Sequence, residues 1–154
     1  MRRDSRLSGV LHVLLHMAEM RGPVTSETMA TIMSANAVVM RRTMAGLRDA
    51  GLVRSEKGHG GGWTIERDLS EITLGDIYTA LDSPELFAMG NRTEAPGCLV
   101  EEVVNSALGS AFDEARALLL NRFAAVTLAE LSADFHARML ASGMSPDKEL
   151  THAV

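Results

Sequence analysis

The sequence predicts a mainly α fold with one small β-hairpin. Three features predict it: apolar residues return at helical spacing through most of the chain, two short β-prone segments flank glycines gathered at 58–62, and the 29 residues from 98 to 126 keep one helical period. Ten Met against 4% aromatic residues point to a core of flexible aliphatic side chains.

Each element is readable in turn. Between residues 6 and 20, Leu7, Val10, Leu11, Leu14, Met17 and Ala18 share one helical face. Arg21, Gly22 and Pro23 break that helix, and Thr25 is placed to cap a second one over 26–33, with Val24 and Met29 spaced as a hydrophobic staple. Ser34, Ala35 and Asn36 interrupt the pattern; Asn36 can cap a third helix over 37–50, and Gly51 ends it. Residues 52–55 and 63–66 read as short strands joined by Glu56-Lys57-Gly58-His59-Gly60-Gly61-Gly62. Thr73 and Asp76 have capping-box spacing for a fourth helix that ends near Leu81. Residues 83–97, with Pro84, Gly90, Asn91, Pro96 and Gly97, form a loop or linker.

The helix over 98–126 carries apolar residues from Val100 to Leu119 at helical spacing, with Gly109 as a point where it could bend. At 1.5 Å per residue it spans roughly 43 Å, more than a compact half-chain covers, so a partner chain is expected on it. Thr127 and Glu130 repeat the capping box and open a last helix to about Ala141, followed by a loose tail. The expected organisation is therefore 1–82, 83–97 (linker), 98–142 (dimerisation helices) and 143–154 (tail).

With 154 residues, the chain holds one domain or two very small ones and can bury a core. Hydrophobic residues at 46% and charged residues at 23% match an ordinary globular protein. Cys98, the single cysteine, makes no intrachain disulfide; the basic N-terminus is followed by no secretory apolar run; and stretches such as 115–120 fall far short of a membrane span. A cytoplasmic protein without a membrane role is the expectation. Residues 1–67 hold 10 Lys and Arg against 6 Asp and Glu, whereas 68–154 hold 5 against 14, so an overall charge of −5 conceals a basic half and an acidic half. A polyanion-binding module joined to an acidic body has this asymmetry, although chance clustering with solvated helix faces gives the same counts.

Pattern separates the two. A short helix, a tight turn and a second helix bearing Arg41, Arg42 and Arg48 outline a helix-turn-helix, and a glycine-tipped hairpin directly after it has the place of a wing. An ordinary hairpin would use the same glycines; a phosphate-binding loop would need GxxxxGK[ST] or a helix-opening GxGxxG, which 58–62 lack. Val38, Val39, Arg41 and Arg42 lie on the first turns of the third helix, where arginine can take guanine O6 and N7 and valine a thymine methyl. Arg41 and Arg42 lining a solvated face is the lesser reading in this context, and Arg48, two turns on, reads as a surface ion-pair residue. Thr25, Ser26, Thr28 and Asn36 sit at helix N-termini, where hydroxyl, amide and N–H groups can hold phosphates; Lys57, His59, Gly60 and Gly61 belong to the wing.

The runs 36–42, 47–55, 57–63 and 72–77, read as NAVVMRR, LRDAGLVRS, KGHGGGW and ITLGDI, resemble the Rrf-two (Rrf2) family of bacterial winged-helix repressors. The similarity is strong over residues 1 to about 82 and looser from 98 to 131. It implies a winged helix-turn-helix DNA-binding domain, a homodimer paired through the long helix, and a palindromic double-stranded operator. Some members have an acidic residue where Arg41 stands, so a different sequence preference is implied. Iron-sulfur members carry three closely spaced cysteines in the segment beginning here at Cys98; this chain has the first alone, so a three-thiolate cluster is excluded by count. No cofactor or metal is expected: a set drawn from Cys98 with His12 or His16 is conceivable, but imidazoles at i, i+4 are more often surface or dimer contacts.

Cys98 stands at an expected helix N-terminus, which favours a thiolate, so oxidant sensing is one reading and an inert buried thiol the other. A small-molecule effector in the dimer interface is compatible with the sequence. The leading expectation is a DNA-binding regulator acting as a repressor; the alternative is a winged-helix protein-interaction module that docks through Val38 and Val39 without DNA. An enzyme is not expected, because five scattered histidines and one cysteine offer no HExxH, GxSxG or CxxC.

Overall fold

Helix signals, turn glycines and one hairpin resolve into a mainly α architecture in the computed structural model, which describes residues 4–92 and 97–143. The order is α1 (Arg6–Glu19), α2 (Ser26–Ile32), α3 (Ala37–Asp49), β1 (Val53–Glu56), β2 (Gly62–Ile65), α4 (Leu74–Ala80), α5 (Leu99–Ala125) and α6 (Leu128–Ala141), with a short 3-10 turn at Leu69–Glu71 before α4. Residues of the expected 143–154 tail beyond Gly143, and Pro96 of the expected linker, lie outside the described residues.

The caps explain the boundaries. Thr25 and Asn36 accept the backbone N–H groups of Thr28 and Val38, and both capping boxes are complete, Thr73 with Asp76 and Thr127 with Glu130. At the end of α3, Gly51 takes φ +73°. Its N–H donates to the Arg48 carbonyl (2.8 Å) and that of Leu52 to the Leu47 carbonyl (3.0 Å), a Schellman closure with Leu47 and Leu52 both buried. This closure aims the chain directly into the hairpin.

The core gathers Val10, Val13, Leu14 and Met17 of α1 against Met29, Met40, Met44, Leu47, Ile72 and Ile77, with Leu128 from α6. Among the described residues Met17, Met29, Met40, Met44 and Met139 are buried, so methionines fill much of the interior as the composition predicts. The hairpin is antiparallel, Val53 opposite Ile65 and Glu56 opposite Gly62. Both strands sit one residue from the expected 52–55 and 63–66. Leu52 and Glu66 still pair through the Glu66 N–H and Leu52 carbonyl (3.0 Å), but the Leu52 N–H is committed to α3, so the regular ladder starts at Val53.

Two backbone links escaped the sequence. Val24 and Trp63 exchange N–H···O bonds of 2.9 and 2.8 Å, which fastens β2 to the entrance of α2. Leu74 N–H reaches the Val126 carbonyl and Leu128 N–H the Ile72 carbonyl, each at 2.9 Å, so the α5–α6 joint is stitched to the start of α4. α5 runs unbroken through Gly109, which needs no special backbone angle there. The expected linker packs onto its neighbours: Tyr78 Oη donates to the Pro84 carbonyl (2.7 Å), and Phe87 stacks on Phe112 of α5 with centroids 6.0 Å apart.

Candidate nucleic-acid interface

Capping decides which face of α3 is available. With Asn36 fixing its first turn (Oδ1 to Val38 N–H, 2.7 Å), Met40, Met44 and Leu47 turn to the core, and Val38 and Val39 are left 62% and 57% exposed. Exposed valines at a helix start have no packing role in this chain; an exposed apolar side chain beside arginine is what a thymine methyl meets in a major groove. Arg41 and Arg42 are exposed on the next turn. Arg41 Nη2 lies 3.1 Å from Glu27 Oε1 of α2, both side chains more than half exposed. An ion pair this wet contributes about 0–1 kcal/mol and yields readily to a phosphate or a base. Arg42 has no ion-pair partner among the described residues, whereas Arg48 pairs with neighbouring Asp49 at 3.0 Å, the surface role its position predicts.

The N-terminal hydroxyls divide. Thr25 Oγ1 accepts the Thr28 N–H (3.1 Å) and lies 3.0 Å from Thr28 Oγ1, so these two side chains form one exposed cap at the front of α2. Ser26 must be corrected. Its hydroxyl is in the core, 5% exposed, and accepts the Trp63 indole N–H at 3.0 Å. A phosphate cannot reach it; its work is to satisfy the one polar atom of a buried tryptophan.

That contact makes the wing. Trp63 is 7% exposed at the root of β2, held by the Ser26 hydroxyl and the Val24 backbone. At the tip, Gly58 and Gly60 adopt φ +97° and +80°, and the Gly61 N–H closes the turn on the Gly58 carbonyl at 3.1 Å. A Cβ on Gly61 would collide with the Glu56 carbonyl, and one on Gly62 would lie 2.7 Å from the Val24 carbonyl. The glycines are thus required by the backbone, and Gly60 and Gly61 hold the turn that presents Lys57 and His59, both exposed. Arg54 is balanced within the hairpin by Glu56 and Glu66, each at 3.3 Å.

Sequence reasoning missed Glu27 and Trp63. Nothing in the spacing announces an ion pair 14 residues apart; a lone tryptophan beside a glycine turn was the available signal for an anchor. Cys98, the N-cap of α5, is exposed and makes no capping bond, so the inert buried thiol is overturned on burial. His12 and His16 stack on α1 with Nε2 atoms 2.9 Å apart. No helix among the described residues is long and apolar enough to cross a membrane.

The model of the Rrf2 family, described as an iron-dependent transcriptional regulator, matches residues 3–134. The chain belongs to the Rrf2 family. It is 29% identical over 129 residues to the helix-turn-helix regulator YwnA of Bacillus subtilis, covering 83% of this chain and 95% of that one. Over 76 residues it is 34% identical to the regulator IscR of Serratia proteamaculans, spanning 49% of this chain and 45% of that one. In fold it is similar to a Lactobacillus plantarum transcriptional regulator (TM-score 0.72, 22% identity, 88% and 92% of the two chains) and to the cysteine regulator CymR of B. subtilis (TM-score 0.61, 21% identity, 86% and 97%). Rrf2 proteins are transcriptional regulators with a DNA-binding fold and not enzymes. The iron in the family description does not fit the donors of this Rrf2 chain: it has a single thiol, and the described residues contain no group of three or more His, Cys, Asp or Glu able to hold a metal ion.

Proposed function

We propose that this Rrf2 protein is a cytoplasmic, dimeric, sequence-specific repressor that reads a palindromic double-stranded operator with α3 and the wing. The observation that carries this reading is the exposed set Val38, Val39, Arg41 and Arg42 on the front of a helix whose opposite face is core. Adjacent residues at the start of α2 support it further, because Ser26 holds the wing through Trp63 and Glu27 touches Arg41. Recognition helix and wing are therefore both referred to one short helix, which fixes their separation for a duplex. Thr25, Thr28, Asn36, Lys57 and His59 then meet phosphates or the minor groove, with Gly60 and Gly61 letting the backbone come close.

Dimerisation through α5 is part of the proposal. That helix has no buried residue in the single chain, and Leu99, Val100, Val103, Val104 and Leu118 are each exposed by 48% or more. An apolar helix face of this length is stable when a second copy covers it. Response to an oxidant would pass through the exposed Cys98 thiol: mild peroxide is expected to add mass at Cys98 and change operator affinity in the native chain and not in Cys98→Ser, and unchanged mass with unchanged affinity removes this arm.

Fluorescence anisotropy on genomically selected duplexes tests the reading. Arg42→Ala should cost about 1–3 kcal/mol on the selected site and relax its sequence preference, whereas Lys57→Ala should weaken all duplexes alike and reduce the log–log salt slope by about 1. Equal, salt-insensitive affinity for every duplex would favour the protein-docking alternative, for which the same exposed Val38 and Val39 would be the contact.

A further inference from the structure

The first turn of α2 and the second turn of α3 set an acceptor beside a donor on the solvent side of the helix-turn-helix. Glu27 Oε1 accepts from Arg41 Nη2 at 3.1 Å, with the two side chains 67% and 58% exposed. The backbone is fixed on both sides. Thr25 caps α2, whose Ser26, Met29 and Ala30 are buried, so Glu27 is turned outward. Asn36 caps α3, whose Met40, Met44 and Leu47 are buried, and the exposed Val38, one turn before Arg41, shares its face. One hydrogen bond joins the pair; Arg41 Nε and Nη1 and Glu27 Oε2 have no partner among the described residues.

A G·C pair presents the complement of this arrangement. In the major groove guanine offers N7 and O6 as acceptors, and its cytosine offers an N4 hydrogen beside them. Arginine takes the two acceptors and a carboxylate takes the donor. An A·T pair with adenine under Arg41 would bring thymine O4 against the carboxylate, and a reversed C·G pair would bring the N4 donor against the guanidinium. Both set like against like, which is how a site rejects a wrong partner. A T·A pair with thymine under Arg41 offers one acceptor where guanine offers two.

We propose that Glu27 is a base-reading residue: Arg41 and Glu27 stay paired on DNA and together read one G·C pair of each half-site, Arg41 at guanine O6 and N7 and Glu27 at the cytosine N4 hydrogen. The assignment rests on the regulator reading above and adds to it a residue from outside α3. On any duplex Glu27 withholds one Nη2 hydrogen and brings a negative charge. A cytosine N4 hydrogen offsets part of that effect, so Glu27 lowers affinity in general while choosing among sites.

Fluorescence anisotropy of the full chain on a genomically selected duplex tests the assignment. Replacing each guanine in turn by 7-deazaguanine finds the one that Arg41 reads, as the position whose penalty is absent in Arg41→Ala. N4-methylation of the cytosine paired with it then blocks the hydrogen assigned to Glu27 and leaves guanine N7 and O6 in place. The native chain is expected to bind the methylated duplex at least about fivefold more weakly than the unmodified one. Glu27→Ala should bind the two alike while still losing affinity to 7-deazaguanine, and Glu27→Gln, which keeps an acceptor and drops the charge, should retain a methyl penalty. An equal methyl penalty in the native chain and in Glu27→Ala, or none in the native chain, overturns the assignment. So does a selected motif with no 7-deazaguanine penalty that depends on Arg41; in each of these outcomes the regulator reading stands. A native chain that selects no motif overturns that reading, and this assignment with it.

Discussion

Single side chains at the front of α3 separate into those with a partner and those without. Arg41 is shared with Glu27, while Val38, Val39 and Arg42 are presented to solvent. On the proposed reading, Glu27 would compete with DNA for Arg41 and place a negative charge close to the duplex. Glu27→Gln is expected to raise operator affinity severalfold at low salt, with the gain shrinking as salt screens it, measured by anisotropy between about 50 and 200 mM salt against a random-duplex control. An unchanged affinity would mean that Arg41 faces no phosphate or base. Arg41, Arg42, Lys57 and His59 were legible as surface groups because helical period and turn position decide exposure. Ser26 was not: spacing puts it at a helix start, but only the tertiary position of Trp63, 37 residues away, turns its hydroxyl inward.

At the scale of elements, boundaries were legible wherever a short-range device sets them. The capping boxes at Thr73 and Thr127 and the glycine closure at Gly51 are written within a few residues, and the helices begin and end there. Long-range pairings, Val24 with Trp63 and Ile72 with Leu128, leave no local trace, because they join residues tens of positions apart that only the folded chain brings together. The first of these makes the wing a rigid extension of α2. Trp63→Ala, which removes both the buried ring and the partner of Ser26, is expected to lower stability by about 3–5 kcal/mol in urea unfolding. Trp63→Phe keeps most of the apolar area and leaves the Ser26 hydroxyl unsatisfied, a cost of about 1–3 kcal/mol. A Trp63→Phe variant of native stability would show that the indole–serine bond does not hold the wing.

The whole molecule has two halves of opposite charge, the basic one carrying the helix-turn-helix and wing and the acidic one carrying α5 and α6. The division keeps the acidic body from sticking to nucleic acid while the basic face is attracted to it, so association should be steered and strongly salt-dependent. Pairing is expected from the length of the helix and from the family resemblance, and the apolar residues that α5 leaves unburied in the single chain are the surface proposed for it. Val103→Glu, at a position 69% exposed in the single chain, should leave the protomer folded. Placed in a paired interface, the same carboxylate should weaken the dimer by at least about a hundredfold in sedimentation equilibrium. Unaltered association would move the dimer contact off this part of α5.

Selection of genomic fragments by the intact protein, alongside an Arg41→Ala and Arg42→Ala double variant, tests the central claim most directly. The account predicts that the native chain enriches one inverted-repeat motif and that the double variant loses the motif while keeping weak, salt-sensitive binding through the wing and the helix N-termini. Enrichment of the same motif by both proteins, or of none by the native chain, would contradict it.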